Sequence, residues 1–495
     1  TPFVKTGKSI SIGPDTKAIP TAKVSRDTGD YLHWNGGSDT LYWMTGPELF
    51  SRSLDEAFAF LADGEELSDE PAVGLDIGFD TATDKPGSRI ALVGGRIITM
   101  NGDEVIEQGT VLVNGNRIEA VGANIEIPAG YEAVDVSGKT LVPGFIDVHW
   151  HGAQGSSEFI PETNWVNMAS LAFGVTTIHD PSNDTSTIFA AAEMARAGEI
   201  IAPRIFSTGT ILYGATISIT AEVDDLDDAL SHLRRMKAVG AFSVKSYNQP
   251  RRDQRQQILE AGRQLDMLVV PEGGALFQTN MTMIVDGHTG IEHSLSVENV
   301  YDDVLQLWSQ NDVGYTPTLG VAYGGIMGEN YWYQHSNVLE NERLMNWVPY
   351  ERVAPRARRR PMAPEGDYNH IKVAEATKQL LDAGVDVQLG AHGQREGLAA
   401  HWEMWMFDQG GMSALEVLRA GTLAGAKYIG MDAHLGSLEV GKLADIAILD
   451  ANPLENIRNT DSVSHVMVNG RLYRTDTMEE IASGTSKAGP LFFKD

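Results

Sequence analysis

The sequence has no cysteine among its 495 residues. Disulfide bonds and thiolate metal sites are therefore excluded. A long cysteine-free chain suits an oxidising setting, where stray thiols are a liability. A periplasmic or extracellular location is the expectation, with the cytoplasm as the alternative. Positive charge is also scarce: 38 Lys and Arg face 67 Asp and Glu, a formal net charge of -29. That balance argues against nucleic acid, whose binding needs cations against phosphates, and favours neutral or cationic partners. No apolar run reaches the roughly 18 to 20 residues of a membrane helix, so no membrane partner is expected. The chain opens on Thr1 rather than Met, and we read it as processed or as part of a longer precursor.

What is present is the composition of a soluble globular protein, 42% apolar and 21% charged. Its length predicts two or three domains. Residues 1–61 read as β. The stretch "DYLHWNGGSDTLYWMTGPELFSRSL" (30–54) is two aromatic-rich runs around a Gly-Gly-Ser-Asp turn, a hairpin signal. Such a unit resembles one blade of a β-propeller, or equally a β-extension packed on the main body. Residues 62–87 are acidic and rich in Gly and Pro, a linker or exposed loop.

From residue 88 the pattern turns to short strands ("RIALVGGRIITM", "GTVLVNGNRIEAVG"), and it returns near the other end in "GSLEVGKLADIAILD" and "VSHVMVNGRLYR". Residues 88–143 and 438–480 are thus expected to meet in one composite β-domain, a β-sandwich. Between them, over 144–437, strand-like runs alternate with helical patterns such as 224–239 and 251–265. The strand candidates are 144–148, 174–180, 204–209, 241–247, 268–274, 290–294, 314–319 and 386–393. Eight βα units predict an α/β fold, a (β/α)8 TIM barrel.

In such a barrel the functional side chains stand at the C-terminal ends of the strands. His149 and His151 end strand 1, and residues i and i+2 of a strand share a face, so both imidazoles can address one point while Trp150 points elsewhere. Lys245 ends strand 4, Glu272 strand 5, His293 strand 6 and His392 strand 8. Each alone has a structural alternative: a hydrogen-bonded histidine, a paired lysine, a turn glutamate. Their coincidence at five of eight strand ends points instead to a site for zinc or another divalent first-row metal.

These motifs resemble the amidohydrolase superfamily. "LVPGFIDVHWHG", the ordered Lys245 and His293, and the closing "GSLEVGKLADIAILDANPLENI" carry the likeness, which covers roughly residues 88 to 475. Within the superfamily the chain is similar to members with an N-terminal β-propeller of the TolB type. The resemblance implies that His149 and His151 bind a buried metal, that His293 is the strand 6 ligand, and that Lys245, if carboxylated, bridges two ions. Two positions depart from the pattern. Strand 5 usually supplies a histidine, and here stands Glu272; strand 8 usually supplies an aspartate, and here stands His392. The implied layout places His149, His151 and His392 around one ion, Glu272 and His293 around a second, and Lys245 between them or free.

The expected chemistry is hydrolysis of an amide, cyclic amide or small peptide bond by metal-activated water, possible also for a dipeptide. His392 or Glu272 is the candidate proton shuttle, and Tyr247 a candidate donor to the oxyanion. Arg251, Arg252 or Arg395 could hold a substrate carboxylate. The Gly- and aromatic-rich stretch 316–336 is read as a lid or pocket wall, and the segment holding His401 and Glu403 as a buried helix face. The expected partners are a small-molecule or peptide substrate, a propeller chain from the same precursor, and further copies in an oligomer. The rival reading is an altered barrel that acts as a binding scaffold.

Overall fold

The computed structural model describes Ile12, Thr16 and residues 19–27, 29–62, 74–157, 159–215, 219–274, 276–482 and 488–494. Residues 63–73 of the expected linker and most of the first 18 residues of the β segment lie outside these.

The hairpin signal corresponds to an antiparallel sheet of four strands, Asp30–Trp34, Thr40–Thr45, Glu48–Ser53 and Leu75–Asp76. Trp43 is buried and stacks on Phe50, with ring centroids 5.7 Å apart. The turn after Thr45 lies against a barrel helix. A Cβ on Gly46 would sit 2.4 Å from the Ala238 carbonyl, which only glycine avoids at a φ of +57°.

A second sheet draws on both sides of the barrel. Its strands include Arg89–Ile98, Val105–Asn114 and Thr140–Pro143 from the first side, and Ile446–Leu449, Val463–Val468 and the edge strand Arg471–Arg474 from the second. Thr140–Pro143 pairs antiparallel with Ile446–Leu449 across the junction. Alternating residues such as Ile90, Leu92, Ile446 and Ile448 turn to one face and form its core.

Between these strands the chain winds through the expected parallel units. Phe145–Asp147, Val175–Asp180 and Arg204–Ser207 form one parallel ladder. Leu212–Tyr213, Ser243–Tyr247 and Leu268–Pro271 form another, and Gly290–Glu292 pairs with Gly314–Thr316. Isolated bridges from Glu272 to Glu292 and from Tyr315 to Val387 extend the circuit. The ladders are not one closed sheet. The expected strand over 386–393 is reduced to the single bridge at Val387, and it joins the first strand through Val148 N to Leu389 O, 3.0 Å, and His392 N to His149 O, 2.7 Å. Glycines at 390 and 393 bring this segment against its neighbours: a Cβ at Gly390 would sit 2.4 Å from Thr316 Cγ2 and 2.8 Å from His149 Cβ.

Helices cover the outside. Leu226–Ala238 shows why they form where the periodicity predicts. Asp225 caps it, accepting from the Asp227 and Asp228 amides at 2.9 and 3.1 Å, and Arg235 and Lys237 sit in the last turn, where a cation offsets the helix dipole. Ala229, Leu230, Leu233 and Met236 face inward. No helix among the described residues is long and apolar enough to cross a membrane.

Candidate metal centre

The strand ends bring four imidazoles together. His149, His293 and His392 each offer a nitrogen within 4.8 Å of the others. Ring centroids are 4.8 Å apart for His149 and His293, 5.0 Å for His149 and His392, and 5.0 Å for His293 and His392. His151 joins from the solvent side, 5.1 Å from His149 and 4.8 Å from His392. Trp150 turns away, as strand alternation requires, and donates to Ser170 Oγ at 3.2 Å. His293 and His392 both have left-handed backbones, with φ of +70° and +59°. Rather than continuing the strands, these turns aim the rings at the centre.

Three of the four histidines are oriented from behind. His149 Nδ1 bonds to the buried carboxylate of Glu292, whose other oxygen accepts from the Tyr428 hydroxyl. His151 Nδ1 lies 2.9 Å from Asp180 Oδ1, and Asp180 also accepts from Asn183 Nδ2 at 2.6 Å. With Nδ1 of both rings occupied by carboxylates, Nε2 is the nitrogen left for a metal. His293 Nδ1 lies 2.8 Å from the hydroxyl of Thr318, itself in a left-handed conformation that a β-branched residue seldom adopts. The adjoining Leu319 and Gly320 amides donate to the buried Glu403 at 2.6 and 3.0 Å, which fixes that turn. Asp147 accepts from the His149 and Ala391 amides and ties strand 1 to the segment of His392.

Glu272 and Lys245 form a second group beside the rings. Lys245 Nζ is 2.8 Å from Glu272 Oε2, and His293 Nε2 is 3.0 Å from Glu272 Oε1. Gly273 holds this arrangement in place. A Cβ there would fall 1.9 Å from the Glu292 carbonyl, so the chain after Glu272 can cross strand 6 only as glycine.

Burial sets the charge of these groups. It pushes His149 well below the ordinary histidine value, helped by the Lys245 charge and the neighbouring rings. It carries His392 down to about 3, again with the other imidazoles adding, and lowers His293 against the pull of Glu272. These rings are neutral at neutral pH, the form that binds metals. Burial alone would raise Glu272, but Lys245 and His293 outweigh it and bring the group to about 2. Burial raises Glu292 to about 7, with Lys245 and Tyr428 opposing.

A family model for the amidohydrolase family matches residues 140–473. The chain belongs to the amidohydrolase family. It is 22% identical over 423 residues to a 5-methylthioadenosine/S-adenosylhomocysteine deaminase of Syntrophobacter fumaroxidans, a match covering 78% of this chain and 93% of that protein. It is 26% identical over 216 residues to a dihydroorotase of Geotalea daltonii, covering 42% of this chain and 47% of that protein. Among solved structures, a Xaa-Pro dipeptidase with bound methionine in the active site superposes with a TM-score of 0.61 at 19% identity, covering 78% of this chain and all of that one. That likeness establishes the amidohydrolase barrel fold.

Amidohydrolases generally bind a divalent metal, and the donors of this member fit one. Three buried neutral imidazoles converge, and two of the four rings are braced by carboxylates. The grouping differs from the layout implied by sequence. His293 stands with His149 and His392 in one cluster, while Glu272 turns to Lys245 and His293. Tyr247 lies at the rim, its ring 5.0 Å from that of Tyr213 and tilted 45° to it, and burial and the Glu272 charge raise its pKa. Tyr323 lies over His293 at 5.6 Å. The rest of the aromatic stretch after strand 7 is no lid: Trp332 and Tyr333 are buried in the core. The three candidate arginines are engaged elsewhere. Arg251 pairs with Asp224, Arg252 with Asp286, and buried Arg395 donates to Tyr333 Oη at 2.6 Å. His401 is also structural, bonded to the Phe173 carbonyl. A cleft of about 640 Å³ opens beside His151, lined by Ser182, Asn183, Thr210 and Glu396. Sequence reading missed Glu292, Asp180, Thr318, Asp147 and Tyr428. Of these, Asp147 and Glu292 each lie within two residues of a predicted ligand, and Asp180 ends the predicted strand over 174–180; these are the signals that could have found them.

Proposed function

We propose that this amidohydrolase is a metal-dependent hydrolase that cleaves an amide, cyclic amide or small peptide bond. The observation that carries the reading is the buried cluster of His149, His293 and His392, with a carboxylate fixing the His149 ring. The names of the deaminase, dihydroorotase and dipeptidase relatives support chemistry at C–N bonds. His149, His293 and His392 would hold the ion, with His151 at its open side. A divalent ion there, zinc by its preference for imidazole, lowers the pKa of water toward about 7 and polarises the scissile carbonyl.

The remaining steps belong to the protein. Glu272 is ionised at neutral pH, and once its Oε1 releases His293 Nε2 to the ion its carboxylate would stand beside the attacking water, to take a proton and pass it to the leaving nitrogen. Lys245 holds Glu272 in that position. Tyr247 and Tyr323 keep their protons at neutral pH and can donate to the developing oxyanion. The cleft beside His151 admits substrate from the side of Asn183 and Thr210. Because the three arginines are engaged, a neutral amide or cyclic amide suits the mouth better than a substrate that needs its carboxylate clamped.

The N-terminal sheet extends the reading. Its first strand exposes Tyr31, Leu32 and Trp34, as a propeller blade does where the next blade is to pack. An extracytoplasmic location and an oligomer complete the proposal. The test is metal content by plasma emission spectroscopy, with an amide and dipeptide screen, for the protein and a His149→Ala, His151→Ala double variant. Bound metal and turnover, both lost in the variant, are expected. Absence of metal from protein supplied with zinc would overturn the reading in favour of a binding scaffold.

A further inference from the structure

We propose that two copies of this chain pair about a two-fold axis through the surface formed by the helix Tyr350–Arg358 and the turn that follows it, residues 359–367. The inference gives the oligomer of the reading above its interface, and it stands apart from the metal chemistry.

The first observation is a concentration of positive charge. Five of the chain's 38 Lys and Arg fall within nine positions, at Arg352, Arg356, Arg358, Arg359 and Arg360, so one exposed face of a strongly acidic protein is basic. The fold uses little of this charge. Arg356 is the exception: it reaches Glu329 at 3.1 Å and the Gln394 carbonyl at 3.0 Å, and ties the helix to the segment of His392. Arg358 donates to the Tyr350 hydroxyl and Arg360 to the Ala357 carbonyl. Neither they nor Arg352 and Arg359 have an acidic partner among the described residues. A cation in the last turn of a helix offsets its dipole, which accounts for Arg358. Arg352 stands in the first turn, where a cation opposes the dipole.

The second observation decides what the partner is. Glu351, Glu365 and Asp367 lie exposed in the same surface, and among the described residues none has a cation within ion-pair distance. Glu365 accepts only from the Tyr331 hydroxyl, at 3.3 Å. Charges of both signs thus stand side by side and leave one another free. Such a surface is self-complementary: after a half-turn the arginines of one copy meet Glu365 and Asp367 of the other, and every contact occurs twice. A wholly acidic partner would satisfy the arginines but set like charge against these two carboxylates. Elsewhere the net charge of -29 repels a second copy, and here the arginines offset it.

The third observation is that the surface has apolar anchors and is already ordered. Tyr350 is 47% exposed and Met362 63%. The Arg358 guanidinium lies 5.5 Å from the centre of the Tyr350 ring. Tyrosine, methionine and arginine are the side chains that protein interfaces favour. Val353, Ala354 and Ala357 bury the inner face of the helix. Ala363 exchanges two hydrogen bonds with the Gln334 side chain, at 2.9 and 3.0 Å, and Pro361 and Pro364 stiffen the turn. A surface fixed before contact loses little entropy when it associates.

The test is sedimentation equilibrium of the full chain over a range of protein concentrations. The parent is expected to dimerise. Raising the salt from about 0.1 to about 1 M shortens the screening length from about 10 to about 3 Å, and should raise the dissociation constant about tenfold or more. Two double variants, Arg352→Glu with Arg359→Glu and Glu365→Arg with Asp367→Arg, are each expected to be folded by circular dichroism and monomeric. Mixed in equal amounts they should pair again, since reversed charges then meet reversed charges and the unaltered ones meet as in the parent. A parent that is monomeric throughout would overturn the proposal. So would a dimer that neither double variant weakens, because it would use another face. A mixture of the two folded variants that stays monomeric would overturn the two-fold pairing. Zinc content of the same samples reports separately on the hydrolase reading.

Discussion

Glu403 is fully buried, and its two oxygens accept from Leu319 N and Gly320 N. Burial, opposed by those amides and reinforced by the nearby Asp147, raises it from an ordinary value of 4.5 to about 8. Below about pH 4.5 folded and unfolded chains both hold the proton, and its contribution to stability is complete. Above that, the unfolded chain releases the proton while the folded chain keeps it, so stability falls until the pH passes about 8. One retained proton corresponds to a slope of about -1.4 kcal/mol per pH unit, or about 4 kcal/mol between roughly pH 5 and pH 8. Glu403→Gln cannot titrate. It retains one acceptor and faces the second amide with a donor, which costs about 1 to 3 kcal/mol at every pH. Urea unfolding followed by tryptophan fluorescence, at one-unit steps from pH 5 to 8, should show the variant weaker at pH 5 and level with or above the wild type at pH 8. Parallel curves for the two proteins would refute the reasoning, because they would mean that Glu403 is ionised in the fold.

Other substitutions probe the centre directly. Glu292→Gln and Asp180→Asn each loosen the carboxylate behind a ring, and each should weaken zinc binding about 10- to 100-fold by competition titration, with the fold retained by circular dichroism. Gly273→Ala forces a Cβ onto the Glu292 carbonyl, and should lower both the thermal midpoint and zinc affinity, since Glu272 and Glu292 shift together. Removing metal with a chelator should abolish turnover and lower the thermal midpoint. Zinc restored at about 100 times its Kd should return about 2.7 kcal/mol, and a midpoint unchanged by zinc would contradict a site built in the fold.

What the sequence disclosed depended on distance along the chain. His149 and His151 were legible because strand alternation alone places them on one side. Strand-end polarity then marked Lys245, Glu272, His293 and His392. The grouping was not legible, because His293 reaches His149 through a left-handed turn that no periodicity signals. Asp180 and Tyr428 escaped notice for a related reason: their partners lie 29 and 136 residues away in the chain. The segment ending in His392 has the apolar run of a strand, but it is held by separate hydrogen bonds to both neighbours rather than by a ladder.

The sheet that straddles the barrel carries a consequence for synthesis. Thr140–Pro143 is completely buried in the finished protein, and its partner Ile446–Leu449 is encoded about 300 residues later. At the usual pace of about 5 to 20 residues per second, the early strand waits on the order of 15 to 60 s for that partner to emerge from the ribosome. Through that interval one edge of an apolar sheet stands open beside a growing barrel, a ready template for pairing with another nascent chain. Truncation before residue 446 should therefore yield aggregates rather than a smaller soluble barrel. In the cell, a chaperone that shields β edges should matter more for this chain's yield than its final stability does.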